Sequence, residues 1–317
     1  MHLPAVTVPY FRPFFTALIL SPNVCYGVCV RGDSSGATEI INGWVAEQTV
    51  DKITKLLSPG DVDSLTRLVL VNAVYFKGDW LEKFNSSLTE NDDFHVSANE
   101  VAKVDLMYMK EKFVHGMNSE LNCQAIELPY SGRNLSMFVL LPHQGSSLSE
   151  LEGQLTAADL VNVEETFSMW RKEVKLWLPR FKLDEKLGLA DMLSAMGMPD
   201  LFTVDVTDLS GVDGTKDLSV SKVVHQAVVE VNEEGTEAAA ATAVIVTFAS
   251  APMADINFRA DRPFLFFIQH KDTKSILFLG RLVKPSSVTV TSTAARMSTV
   301  AVAAAFLAAL WPLLVYL

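Results

Sequence analysis

The strongest constraint on the fold is a set of short strand-like segments that are separated by turn residues. Leu68–Phe76 is an uninterrupted apolar run, which is typical of a strand buried on both faces of a sheet. Five further segments predict strands: Leu135–Leu141, Glu173–Leu178, Val223–Val231, Phe264–Ile268 and Ile276–Gly280. The spacing of apolar residues predicts helices over Thr38–Leu57 and Leu183–Met196. Because strands outnumber helices without regular alternation, we expect an α+β domain built on large mixed or antiparallel sheets.

The composition is that of a globular protein with a substantial core, since 49% of the 317 residues are hydrophobic and 20% are charged. The formal net charge of -11 argues against nucleic acid as a partner, because phosphate binding needs Lys and Arg to displace counterions. The three cysteines, Cys25, Cys29 and Cys123, are too few for a disulfide framework. Because the histidines are scattered and do not complete a metal-ligand spacing, we expect no metal site. We also expect no cofactor, and a monomer.

The two ends of the chain differ from its middle, and we divide it into residues 1–40, 41–285 and 286–317. The first segment is expected to be irregular. Its apolar run Phe14–Leu20 is a poor signal-peptide core, because a single arginine precedes it and Pro13 cuts it off from the residues before it. The last segment is a polar spacer followed by Met297–Leu317, 21 uncharged residues that are enough to span a bilayer. It fits a GPI signal, a plain membrane anchor or a gene-model artefact, and we expect an extracellular protein, secreted or held at the cell surface by this tail.

A series of motifs runs through the middle segment in a fixed order. They are Ile41–Val45, Leu70–Trp80, Asp208–Gly211, Leu218–Ala227, Glu230–Ala240, Ala260–Phe266 and Phe278–Arg281. Together they resemble the serpin family of serine protease inhibitors, and the preserved order makes a chance match improbable. The resemblance implies a large main sheet with helices packed on it, smaller sheets and an exposed reactive loop. It covers residues 41–285, and the N-terminal helices and outer strands of a complete serpin have no counterpart in the chain.

One stretch is similar to the hinge of inhibitory serpins. It comprises Glu233, Glu234, Gly235, Thr236, Glu237, Ala238, Ala239, Ala240 and Ala241. The resemblance implies that a protease cleaves the loop beyond the hinge and that the freed arm enters the main sheet as a new strand. Gly235 permits the backbone to swing, and small side chains pass between parting strands with little steric resistance. An alanine run also favours a helix, but the strand-like segments on both sides of it favour the hinge.

The reactive bond is placed by the spacing that the family implies, about seventeen residues after the first hinge glutamate. That count gives Ala249-Ser250, and Ala249 suits an elastase-like pocket that takes small side chains. A shift of one residue makes Phe248 the specificity residue and suits a chymotrypsin-like pocket. Because residues 244–248 contain no Arg or Lys, a trypsin-like target is not expected. The implied partner is therefore an elastase- or chymotrypsin-like serine protease.

The resemblance also implies a polar cluster beneath the strands that part during insertion. Asn72 and His225 match that cluster, and Trp80 matches the top of the opening. Such a buried pair can act as a latch, because breaking it leaves polar groups unsatisfied. Asn85 and Asn134 each begin a glycosylation sequon, which matters only if the chain enters the secretory pathway.

Two alternatives to an inhibitor remain open in the sequence. The first is a non-inhibitory serpin-like binding protein or an inactive truncated serpin. The second is a hydrolase, because the residues around Ser34 fit a nucleophile-elbow pattern between an apolar segment and a predicted helix. An ordinary helix-capping turn explains the same pentapeptide, so we assign no catalytic residue and expect an inhibitor and not an enzyme.

Overall fold

A computed structural model of the chain describes residues 14–19, 34–214, 216, 218–234 and 256–285. Its helices are α1 (Ser34–Gln48), α2 (Leu148–Gln154), α3 (Ala157–Val161), α4 (Val163–Thr166), α5 (Ala190–Ala195) and α6 (Ser210–Asp213). Its strands are β1 (Phe14–Ile19), β2 (Leu68–Phe76), β3 (Glu90–Ser97), β4 (Glu100–Asn118), β5 (Cys123–Pro129), β6 (Leu135–Pro142), β7 (Trp170–Pro179), β8 (Phe181–Gly188), β9 (Val220–Val231), β10 (Ile256–Arg259), β11 (Phe264–His270) and β12 (Ile276–Leu282).

These strands form a four-stranded sheet in the order β1-β2-β9-β8 and an eight-stranded sheet. The larger sheet runs β10-β7-β4-β5-β6-β11-β12, with β3 paired to β4. In the smaller sheet β2 and β9 are parallel neighbours, whereas β1 and β8 flank them antiparallel. The mixed sheets with helices packed against them confirm the α+β class. We call the β2–β9 boundary the seam, because the inferred loop insertion would part these two strands.

Apolar side chains pack on both faces of the smaller sheet. One cluster joins Phe76 and Val229 to the aromatic and aliphatic residues of the larger sheet. On the other face, Ile41 and Val45 of α1 pack over the seam together with residues from both β2 and β9. Burying these side chains supplies most of the driving force that holds α1 across the two strands.

The first predicted helix is shorter than its sequence pattern indicates. The structure ends α1 at Gln48, because Val50 and Asp51 have φ angles of 51° and 57°, in the left-handed region that an α-helix cannot continue through. The chain then crosses the seam as an irregular segment, and Ile53 and Leu56 still lie in the core that their spacing predicted. We call residues 49–57 the crossing segment.

The second predicted helix, Leu183–Met196, is wrong in its first half. The structure places Phe181–Gly188 in strand β8, paired antiparallel with β9 from Phe181 opposite Val231 to Gly188 opposite Val224. Pairing with β9 overrides the local helical spacing, and only Ala190–Ala195 forms a helix.

The structure also differs from the expected irregular start of the chain, because Phe14–Ile19 is a strand paired with β2. Sequence reasoning missed β3, β4 and β5 altogether. In β4, exposed lysines and acids alternate with buried residues over 19 residues, so no apolar run marks the strand.

Candidate functional site

The predicted reactive loop connects the two sheets. Strand β9 ends at Val231 in the smaller sheet, and β10 begins at Ile256 in the larger one. The hinge residues Gly235, Thr236, Glu237, Ala238, Ala239, Ala240 and Ala241 and the reactive-bond residues Phe248, Ala249 and Ser250 lie outside the described residues. The described part of the hinge is therefore Glu233 and Glu234, directly beyond the end of β9.

The Glu233 side chain is buried at the start of the hinge and makes an ion pair. The residue is 4% exposed. Arg180, just after β7, donates from Nε to Oε2 at 3.1 Å and from Nη2 to Oε1 at 2.5 Å, a bidentate arrangement. Thr89 Oγ1 donates to Oε1 at 2.7 Å, and the Phe84 N–H donates to the Glu233 carbonyl at 3.0 Å. We call Arg180, Thr89 and Glu233 the clamp.

The electrostatics keep the clamp ionised at neutral pH. Burial by itself raises the pKa of Glu233, but the hydrogen bonds from Arg180 and Thr89 outweigh it and leave the pKa below its ordinary value of 4.5. The hydrogen bond to Glu233 in turn raises the pKa of Arg180. The hinge therefore starts from a residue that is fixed through both its side chain and its backbone.

Trp80 holds the backbone of Asn232, the residue before Glu233 of the clamp. Its Nε1 donates to the Asn232 carbonyl at 2.8 Å, and its ring stacks on Tyr130 with centroids 4.5 Å apart. Gly78 allows this packing, because a Cβ at that position would lie 2.7 Å from a ring carbon of Tyr130. The structure thus places Trp80 at the hinge end of the seam, as a support for the end of β9.

Asn72 and His225 lie directly opposite each other across the seam. Asn72 is 5% exposed, and among the described residues its Oδ1 accepts no hydrogen bond. Burial lowers the pKa of His225 to about 4, so its imidazole is neutral at physiological pH. The structure thus brings Asn72 and His225 together within the sheet, whereas Trp80 lies beyond the end of β2.

A polar contact crosses the seam near the hinge, and sequence reasoning missed it. Tyr75 Oη of β2 donates to Glu230 Oε2 of β9 at 3.4 Å, and Lys52 Nζ lies 5.6 Å from the centroid of the Tyr75 ring. Arg180 and Thr89 were missed too. An arginine directly after a strand that proline ends was the only local signal, and nothing near it in the sequence indicates its partner.

The other predicted sites are dispersed. Asn85 and Asn134 are exposed, and the Asn85 carboxamide oxygen accepts hydrogen bonds from Ser87. Cys123 is a free, buried thiol whose pKa burial raises to about 12, whereas Cys25 and Cys29 lie outside the described residues. Within the described ranges no group of His, Cys, Asp or Glu is arranged to hold a metal ion.

Comparison with known proteins identifies consistent relatives. A family model described as Serpin (serine protease inhibitor) matches residues 28–285. Leukocyte elastase inhibitor of Bos taurus is 49% identical over 253 residues, which cover 78% of this chain and 67% of that protein. The Homo sapiens protein of the same name is 45% identical over 281 residues, covering 86% of this chain and 74% of that one. Serpin B6 of Macaca fascicularis is 48% identical over 245 residues, 77% of this chain and 65% of that protein.

Solved structures agree with these matches. Uncleaved ovalbumin superposes with a TM-score of 0.78 at 32% identity, over 88% of this chain and 80% of that one. Serpin48 of the insect Tenebrio molitor gives a TM-score of 0.70 at 34% identity, over 82% and 67% of the two chains. The similarity therefore extends from the motifs to the arrangement of the sheets.

The relatives overturn the expected location. Leukocyte elastase inhibitor and serpin B6 are intracellular serpins without signal peptides, so the prediction of a secreted or surface-attached extracellular glycoprotein is wrong. Glycosylation of Asn85 and Asn134 depended on that prediction and loses its basis. Residues 286–317, the predicted membrane tail, lie outside the described residues, and no described helix is long and apolar enough to cross a bilayer.

Proposed function

Because the chain belongs to the serpin family of serine protease inhibitors, we propose that it traps an elastase- or chymotrypsin-like serine endopeptidase, as a monomer, with Ala249-Ser250 as its reactive bond. The chain is an inhibitor and not an enzyme, so the hydrolase reading of Ser34 is set aside. Relatives named leukocyte elastase inhibitor favour the elastase-like target. The small side chain of Ala249 fits such a pocket.

The proposal rests on two observations: β2 and β9 are parallel neighbours, and the hinge begins at Glu233, which the clamp holds at the end of β9. The arm leaves the end of β9 just after the clamp, so an arm that turns back runs antiparallel to β9. Because β2 is parallel to β9, the same arm is antiparallel to β2 as well. Insertion would replace one parallel ladder by two antiparallel ladders, which are the more stable pairing per residue. The uncleaved arrangement therefore has a lower-energy state available once the loop is cut.

The chemical step is ordinary acyl transfer by the target protease. Its serine hydroxyl attacks the Ala249 carbonyl, an ester bond forms to Ala249, and the amide bond to Ser250 breaks. The serine proton passes through the protease base to the Ser250 amine, which leaves as a new N-terminus. Insertion of the arm then carries the esterified protease away from the hinge before water completes hydrolysis.

The test is incubation of the purified chain with neutrophil elastase, chymotrypsin and trypsin. We expect an SDS-stable band of added mass with one of the first two, loss of that protease's activity, and a released fragment that begins at Ser250. A fragment that begins at Ala249 would move the bond to Phe248. Ala249→Arg should shift complex formation to trypsin, and Thr236→Arg should yield cleavage without a complex, because a charge at an inward position resists burial. Cleavage of the wild type that leaves every protease active would refute inhibition and favour the non-inhibitory alternative.

A further inference from the structure

The tyrosine–glutamate contact across the seam has a position that bears on insertion. Tyr75 lies in β2 and Glu230 in β9, and their side chains meet on the face covered by α1 and the crossing segment. Glu230 precedes the clamp residue Glu233 closely in sequence, so the contact lies at the end of the seam where the arm leaves β9. An arm that enters from its own hinge meets this contact before the rest of the seam.

Insertion cannot leave the contact intact. Neighbouring strands lie about 4.8 Å apart, so an added strand moves β2 and β9 apart by about that distance again. It also places a side chain of the arm on the same face, between the tyrosine and the glutamate. The Tyr75 Oη–Glu230 Oε2 distance of 3.4 Å exists only while the seam is closed.

The surroundings hold the two side chains in this arrangement. Lys52 Nζ lies 5.6 Å from the centroid of the Tyr75 ring, within the range of a cation–π contact. The segment that carries Lys52 is fixed at Thr49, whose Oγ1 accepts from the Ile53 N–H at 3.1 Å. Partial burial and the nearby Glu230 raise the pKa of Tyr75 to about 12, so its hydroxyl stays protonated and can donate.

We propose that Tyr75 and Glu230 form a latch that sets how fast the seam opens to the inserting arm. This inference rests on the proposed function and adds a rate-determining contact to it. The latch resists the first step of insertion and so limits premature uptake of the uncut loop. Once the loop is cut, the same resistance sets how much of the protease is trapped and how much escapes by hydrolysis.

The test uses seam opening without a protease. A labelled synthetic peptide with the sequence of residues 236–249 is mixed with the full chain, and its uptake as a strand is followed by fluorescence anisotropy. We expect Tyr75→Phe and Glu230→Met each to speed uptake by about two- to tenfold, the effect of losing one hydrogen bond before the transition state. The double variant should be no faster than the faster single variant, because both substitutions remove the same contact.

Matched controls lie in the other sheet. Tyr108→Phe alters a tyrosine that packs on Trp177, and Glu173→Met removes a carboxylate that pairs with Lys110. Neither should change uptake by more than about twofold. Seam variants that lower the thermal unfolding midpoint but take up peptide at the control rate would show a merely structural contact and overturn the latch, as would absence of uptake in every variant.

The outcomes separate the latch from the proposed function. If the wild type traps no protease but the seam variants take up peptide faster, the latch stands and inhibition fails. If the wild type traps its protease while the seam variants match the controls in both peptide uptake and stoichiometry of inhibition, the latch is refuted and inhibition stands.

Discussion

Replacing Arg180 by alanine tests the clamp that starts the hinge. The substitution removes both bonds of the bidentate pair and leaves the Glu233 carboxylate, whose side chain is 5% exposed, with Thr89 as its described side-chain partner. Removing one partner of a fully buried pair costs about 3–5 kcal/mol. Because the Arg180 side chain is 47% exposed, solvent already screens part of the interaction. We therefore expect a loss of about 2 kcal/mol in the free energy of unfolding.

That loss converts to a measurable shift in the thermal midpoint. Unfolding entropy scales at about 2.1 cal/mol/K per residue, or about 0.67 kcal/mol/K for a chain of 317 residues. A loss of about 2 kcal/mol then lowers the midpoint by about 3 °C, which differential scanning fluorimetry resolves. Arg180→Lys should fall between wild type and Arg180→Ala, because lysine keeps the charge but not the two-pronged geometry.

Asp105 provides the control, since its carboxylate lies 3.5 Å from Arg180 and is half-exposed. Asp105→Asn should lower the midpoint by less than about 1 °C. The reasoning is refuted if Asp105→Asn destabilises as much as Arg180→Ala, or if Arg180→Ala stays within about 1 °C of wild type.

The pH dependence of stability gives a second test of the clamp. Because the pKa of Glu233 is depressed in the folded state, its carboxylate stabilises the fold fully above about pH 4.5. This stabilisation is lost as the pH falls through the pKa of the folded state. The difference in the free energy of unfolding between wild type and Glu233→Gln should therefore shrink over that range.

Two further predictions concern the core and the seam. Gly116→Ala should lower the free energy of unfolding by about 2–3 kcal/mol, because the new Cβ would lie 2.1 Å from the Phe167 carbonyl oxygen. Gly153→Ala in α2 is the control, since its Cβ meets nothing within 4 Å and should not lower the thermal midpoint. Equal midpoints for these two variants would contradict the packing argument. Burial lowers the pKa of His225 to about 4 in the folded chain, whereas the unfolded chain has the ordinary value of 6.5. Between these two pH values the unfolded state binds one more proton than the folded state, so the free energy of unfolding falls as the pH drops from 6.5 to 4. Urea unfolding of His225→Gln across that range should show a flatter pH dependence, and an unchanged slope would count against a buried neutral imidazole.

How far the sequence predicts this fold depends on whether a strand is buried on one face or on two. Leu135–Pro142 is buried at every position, and its apolar run predicted strand β6 directly. In β4 exposed and buried residues are mixed, and in β8 the pattern resembles a helix until pairing with β9 is known. Local spacing cannot supply that pairing, because its energy comes from contacts with a distant segment.

The same limit applies to the candidate site. The hinge motif located Glu233, but nothing in the motif indicates that this glutamate is buried and ion-paired. Its partners Arg180 and Thr89 lie 53 and 144 residues away in the chain, so only the fold brings them together. The Asn72–His225 pair was within reach of sequence reasoning, because both residues belong to motifs that the family resemblance covers.

The described contacts indicate why the seam should open from the hinge end. There the two strands are joined by the Tyr75–Glu230 hydrogen bond at the margin of the sheet, and water can replace such a bond as it breaks. Further along, the apolar cover of α1 lies over both strands, and separating it exposes surface that water does not compensate. The hinge end is therefore the part of the seam that separates at the lowest cost, and we expect opening to begin there.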